Sequence, residues 1–104
     1  MQFAQTFVWI FILDLFYAGP ILLILVFLII LVGHSIAKIE GWSNMDGFYH
    51  GFINATTVGY GDLRPTKSIT KLLSIVMAII GLIFTGLMVA IAVHAANLAF
   101  SELY

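Results

Sequence analysis

The chain has no cysteine among its 104 residues, which excludes disulfides, thiol catalysis and thiolate metal sites. Charge is nearly as scarce. Only 9% of residues are Asp, Glu, Lys or Arg, against about 25% in an ordinary soluble domain. Four basic residues and a net charge of −1 leave no basic patch for nucleic acid. Residues 1–20 hold no Lys or Arg, so a secretory leader with a basic n-region is not expected. Gln2 and the lack of cysteine exclude the usual lipidation boxes. His34, His50 and His94 lie too far apart for a metal-ligand motif. No arginine-rich voltage sensor, calcium loop or nucleophile–base constellation is visible, so no enzyme is expected. What remains is apolar. Hydrophobic residues make up 62% of the chain and the mean hydropathy is +1.14. That composition implies an integral membrane protein, with room for two spans and little else.

Residues 1–17 are apolar but interrupted by Gln2, Gln5, Thr6 and Asp14. Phe3, Phe7, Ile10, Phe11 and Leu15 recur at helical spacing, which suggests a short interfacial helix or one packed along the membrane edge. Gly19 and Pro20 imply a break or kink, because proline removes a backbone donor. A first span is expected over residues 20–39, built on the unbroken apolar run from Ile21 to Val32. Lys38 and Glu40 mark its polar edge, and Trp42 sits where an interfacial aromatic belongs. Ser43, followed three residues later by Asp46, reads as an N-cap. The helix it opens, over residues 45–56, is about 18 Å long by helical rise and too short to span. After the loop, Pro65 and Thr66 open the second span, with Thr66 as expected N-cap. Residues 67–101 then form one helix of about 50 Å, longer than a hydrocarbon core of about 30 Å. The expected fold is an all-α membrane protein: two transmembrane helices flanking a re-entrant helix and loop. Backbone of that kind is tolerated at membrane depth only where protein or a water-filled path surrounds it.

The loop reads Thr56-Thr57-Val58-Gly59-Tyr60-Gly61-Asp62. Here the chain resembles the potassium-channel family, whose selectivity filter is a Thr-Val-Gly-Tyr-Gly loop. Thr57, Val58, Gly59, Tyr60 and Gly61 match it without a mismatch. The resemblance extends over about residues 20–101 and is closest in plan to two-span pore domains of the bacterial type. It is highly specific in the loop and weak elsewhere.

The resemblance implies a potassium channel with K+ as the permeant ion and no organic cofactor. Carbonyls of Thr57, Val58, Gly59 and Tyr60 would replace the water of the ion, with the Thr57 hydroxyl completing the innermost site. The glycines Gly59 and Gly61 tolerate the positive φ that such a lining needs. Val58 and Tyr60 side chains would face away from the ion, against the pore helix. One chain supplies one edge of the ring, so the resemblance implies a homotetramer in lipid. Asp62 is implied to fold back onto an aromatic of the pore helix, here Tyr49. Ile53 stands where some bacterial relatives carry a glutamate, a departure that implies a filter less prone to inactivation. Arg64 lies at the outer mouth, either free or paired with Asp62, Asp46 or Glu40, and should weaken external block by quaternary ammonium.

On the second span, Gly81 and Gly86 are candidate gating hinges. Close packing is the competing reading for Gly81 and the favoured one for Gly86. Leu82, Thr85, Val89, Val93 and Asn97 form a stripe taken as pore-lining. His94 is read first as a hydrogen-bonded histidine and second as a sensor of internal pH. Arg64, Lys67 and Lys71 follow the loop, so a positive-inside count puts the loop in the cytoplasm. The resemblance implies the opposite: the loop outside, with both termini cytoplasmic in the cell (inner) membrane. It also leaves room for a cytoplasmic regulatory domain beyond Tyr104. Two other readings stay open: a weakly selective cation channel of the same plan, and a non-conducting regulatory subunit.

Overall fold

A computed structural model describes residues 2–103 as three helices: α1 (Gln2–Glu40), α2 (Asn44–Ala55) and α3 (Ser68–Leu103). Two of them, Gln2–Glu40 and Ser68–Glu102, are long and apolar enough to cross a membrane. They pack as a long hairpin with α2 folded between them at the loop end, within an envelope of 55 × 25 × 20 Å.

The largest departure from expectation is in α1. No break occurs at Gly19 and Pro20; one helix of 39 residues runs through them. The proline rule describes a helix whose freed carbonyl is easily solvated by water. In lipid, leaving the helix would expose many backbone groups, whereas Pro20 forfeits one bond. Residues 2–17 are therefore an extension of the first span and not a separate interfacial helix. Their ring stripe packs on itself, Phe3 to Phe7 to Phe11, and Phe3 stacks on Phe100 of α3 with centroids 4.3 Å apart.

Each helix end has its own chemistry. Gly41, at φ +78°, closes α1, and the Trp42 N–H bonds the Ala37 carbonyl at 2.8 Å. That pairing is a Schellman stop, which needs a residue free to turn left-handed. Ser43 caps α2, its hydroxyl accepting from the Asp46 N–H at 3.1 Å. The start of α3 is capped by α1. The Glu40 carboxylate accepts the N–H groups of Thr66 (2.8 Å) and Lys67 (3.1 Å) and the hydroxyls of Thr66 (2.7 Å) and Thr70. Thr66 is thus a donor to the cap and not the cap itself. A carboxylate accepts more strongly than a hydroxyl and suits the positive end of a helix. The Lys67 ammonium adds a bond to the Ile39 carbonyl at 2.6 Å.

The small core lies where the three helices meet. Ile29, Ile36, Ala55 and Met77 are buried, and Val32, Trp42, Leu73 and Ile80 pack on them. Most other large apolar side chains face outward, Phe16 and Tyr17 at about four-fifths exposure. An outward apolar surface over a satisfied helical backbone is what lipid requires.

Candidate functional site

Glycine sets how closely α2 approaches its neighbours. A Cβ on Gly47 would fall 2.8 Å from the Gly33 carbonyl oxygen, and one on Gly33 2.7 Å from that of Gly47. Helices α1 and α2 therefore meet main chain to main chain. On the other side, a Cβ on Gly81 would overlap the Ala55 backbone at the last turn of α2. Gly81 is a packing residue of this junction. A Cβ on Gly86 would meet nothing within 4 Å, so the close packing favoured for it is not formed within the chain. The sequence reading had no signal for Gly33 and Gly47, because spacing does not reveal which glycines face each other.

Polar ties complete the junction. The Asn54 amide donates to the Ser74 carbonyl at 2.9 Å, and His50 Nε2 lies 3.3 Å from the Ser74 hydroxyl. Trp42 sets its ring edge-on to His50 at 5.2 Å. Burial holds the His50 imidazole below its ordinary range, with the charge of Asp62 opposing that shift. His50 is accordingly a neutral structural residue.

The loop leaves α2 through its own carbonyls. Thr56 N–H bonds the Phe52 carbonyl at 2.9 Å, Thr57 N–H bonds that of Asn54 at 3.2 Å, and Gly59 N–H bonds that of Ile53 at 3.1 Å. The Thr56 hydroxyl also donates to Phe52 at 2.6 Å. Ile53 therefore serves the loop through its backbone carbonyl.

Positive φ recurs at every second residue of the loop: Thr57 at 67°, Gly59 at 57° and Gly61 at 77°. In an ordinary strand successive carbonyls point to opposite sides. Reversing the hand of alternate residues turns them toward a common side. For the glycines this conformation is easy. For Thr57 it is not, since a β-branched residue in the left-handed region costs about 1–3 kcal/mol. The sequence reading assigned the left-handed positions to the glycines alone and missed Thr57. The period-two spacing to Gly59 and Gly61 was the available signal.

Val58 and Tyr60 are 50% and 70% exposed, so the chain itself covers them only in part. Behind the loop, Tyr49, His50, Asn54 and Asp62 border a cavity of about 170 Å³. The Tyr49 phenol is pushed above the usual tyrosine range, first by its side-chain hydrogen bond to Asp62, then by burial and by the Asp62 charge. Tyr49 and Asp62 thus border the same cavity behind the loop. Arg64 makes none of the ion pairs considered for it. Its Nε donates to the Gly61 carbonyl at 2.9 Å, which sets the guanidinium against the end of the loop.

Leu82, Val89 and Val93 are more than half exposed on α3, Asn97 is exposed and Thr85 is half-buried. The stripe thus lies on a face that α1 and α2 leave largely open. His94 is hydrogen-bonded, as its first reading held, and its partner is Asp14 of α1. Among the described residues no cluster of three His, Asp or Glu side chains is placed to hold a metal ion.

Two spans, a short helix folded between them and a loop of alternating hand define a pore-forming membrane module. Residues 21–97 match the family described as "Ion channel", and the chain belongs to that family. It is a channel component and not an enzyme. Over 69 residues it is 38% identical to "TWiK family of potassium channels protein 7" of Caenorhabditis elegans, covering 64% of this chain and 12% of that protein. Over 40 residues it is 45% identical to "Two-pore potassium channel 4" of Arabidopsis thaliana, covering 38% of this chain and 14% of that one. "Two-pore potassium channel 3" of the same plant is 35% identical over 46 residues, 44% of this chain and 11% of the relative. The matched region is thus about one eighth of the length of these curated relatives. No solved structure matches the chain.

Proposed function

We propose that this chain is one of four identical subunits of a potassium-selective channel. The observation that carries the reading is the Thr57–Gly61 loop, with positive φ at Thr57, Gly59 and Gly61, held at the end of a short helix between two spans. Potassium must shed its water to pass, and a ring of backbone carbonyls replaces those oxygens without fixed charge. In this reading the carbonyls of Thr57, Val58, Gly59 and Tyr60 are the ion sites, and the negative end of α2 favours a cation beneath them. Asp62 and Tyr49 brace the loop from behind. The three relatives, each named as a potassium channel, support the choice of ion.

The fourfold assembly draws support from the exposure of Val58 and Tyr60. Their cover must come from outside the chain, and neighbouring copies around a cyclic axis would supply it. The open stripe of Leu82, Thr85, Val89, Val93 and Asn97 would then line the pore below the loop. Gly86, with space around it, is better placed than Gly81 to act as a hinge. Both termini lie on the cytoplasmic side of the cell membrane, and the loop faces out.

Liposomes carrying the purified chain test this directly. The expected result is rapid potassium flux, little sodium flux and block by barium. Equal sodium and potassium flux would replace it with the weakly selective reading. No flux from a chain that remains monomeric would overturn it.

A further inference from the structure

Asp14 lies 26 residues along α1 from Glu40, and His94 lies 26 residues along α3 from Ser68. Each is therefore about 39 Å from the loop end. A hydrocarbon core of about 30 Å ends before that point, so the pair sits at the far headgroup level. There His94 Nδ1 stands 2.7 Å from Asp14 Oδ2. Among the described residues, this is the only side-chain polar contact between α1 and α3 in the half remote from the loop. The other contacts there are apolar, ending in the Phe3–Phe100 stack.

We propose that Asp14 and His94 form a proton-sensitive latch that sets the position of the lower half of α3. The proposal rests on the pore reading, in which the face carrying Val93 looks toward the axis and α1 lies outside it. His94 follows Val93 and is turned about 100° from it, toward α1. With the latch made, α3 is held back against α1 and Val93 is withdrawn from the axis. With the latch open, the segment keeps only its apolar contacts, in which Ala95 and Ala99 are buried, and Gly86 above it leaves α3 room to bend: a Cβ there would meet nothing within 4 Å, whereas one on Gly81 would strike α2.

Histidine changes charge between pH 5 and 8. An imidazolium donates to a carboxylate more strongly than a neutral imidazole does, since both partners are then charged. The groups facing the pair are few. From α1 come Asp14 itself and Tyr17; from α3 come the apolar Leu87, Ala90 and Ile91. Asn97 and Glu102 lie farther along α3, and Lys38, Arg64, Lys67 and Lys71 are all toward the loop end. No basic side chain competes for Asp14. Acid on the His94 side therefore tightens the latch and favours conduction.

The test records reconstituted channels while pH is lowered from 8 to 5.5 on the His94 side alone, since His50 lies at the other end. Open probability should rise about threefold, a charge-assisted bond discounted for solvent exposure. Asp14→Asn and His94→Asn should each abolish the pH response and lower the open probability. The exchange Asp14→His with His94→Asp should restore both. Because the chain has no cysteine, spin labels on Leu13→Cys and Ser101→Cys report the α1–α3 separation, which should shrink in acid. A pH response that survives in both single variants overturns the latch. A wild type that conducts under no condition overturns the pore reading instead. In that case a label distance unchanged between the two pH values still overturns the latch.

Discussion

At the loop end, α2 touches α1 through the backbones of Gly33 and Gly47 and touches α3 through Gly81 and Ala55. The Glu40 carboxylate ties α1 to the first turn of α3 through four donors, and Ser74 receives Asn54 and His50. Between α1 and α3 the remote half has, among the described residues, one side-chain polar contact, Asp14 to His94, and otherwise apolar contacts, the Phe3–Phe100 stack and the buried Ala95 and Ala99 among them. Backbone contacts admit no rearrangement without separation of the helices, while apolar side chains slide past one another at small cost. The difference assigns precision to the end that carries the loop and freedom of movement to the other.

The strongest way to break this contrast is to place the same methyl group in each half. Gly81→Ala drives a Cβ into the Ala55 backbone and should abolish both assembly and flux. Gly86→Ala would meet nothing within the chain and should assemble as the wild type does, as native gel migration would reveal. If Gly81→Ala assembles and conducts normally, the junction is looser than its geometry implies. Next in size is Glu40→Ala, which leaves the first turn of α3 without its cap and should lower the melting temperature of the assembly clearly. Asp14→Asn, at the other end, should shift it far less.

The effect of pH follows from burial. The folded chain keeps His50 neutral, so its value lies below that of the unfolded chain, about 6.5. Stability is full above the unfolded value and declines as pH falls from there through the lower folded value. Melting between pH 8 and 5 should show that decline, and His50→Gln should flatten it. A smaller effect concerns the brace. With Ile53 in place of an acid, current should persist under prolonged activation; rapid decay that Tyr49→Phe abolishes would contradict this. The smallest concerns the mouth. Arg64 beside the Gly61 carbonyl should keep external tetraethylammonium block weak, and Arg64→Tyr should strengthen it by offering ring faces to the cation. Tight block of the wild type would refute that.

Local patterns made much of the chain legible. The two spans follow from hydropathy, and the Ser43 cap from a side chain within reach of its own helix. The Thr57–Gly61 loop is a contiguous motif. What escaped was either distant or dependent on the solvent. Continuity through Pro20 reverses a rule learned in water. Glu40 reaches Thr66 across 26 residues, and Asp14 reaches His94 across 80. A hint of the second pairing was present: an acid in an apolar helix requires a partner, and His94 is equally far from the loop end. The facing of Gly33 and Gly47 had no such hint, because a glycine carries no side chain to announce its direction.

That bare contact between α1 and α2 has a consequence for noise. Side chains hop between rotamers in picoseconds to nanoseconds, and a surface seated on them inherits the jitter. Gly33 and Gly47 have no rotamers. At that crossing α2 rests on α1 with no flexible side chain between, so the loop carbonyls at its tip are held on a firm seat while the surroundings fluctuate.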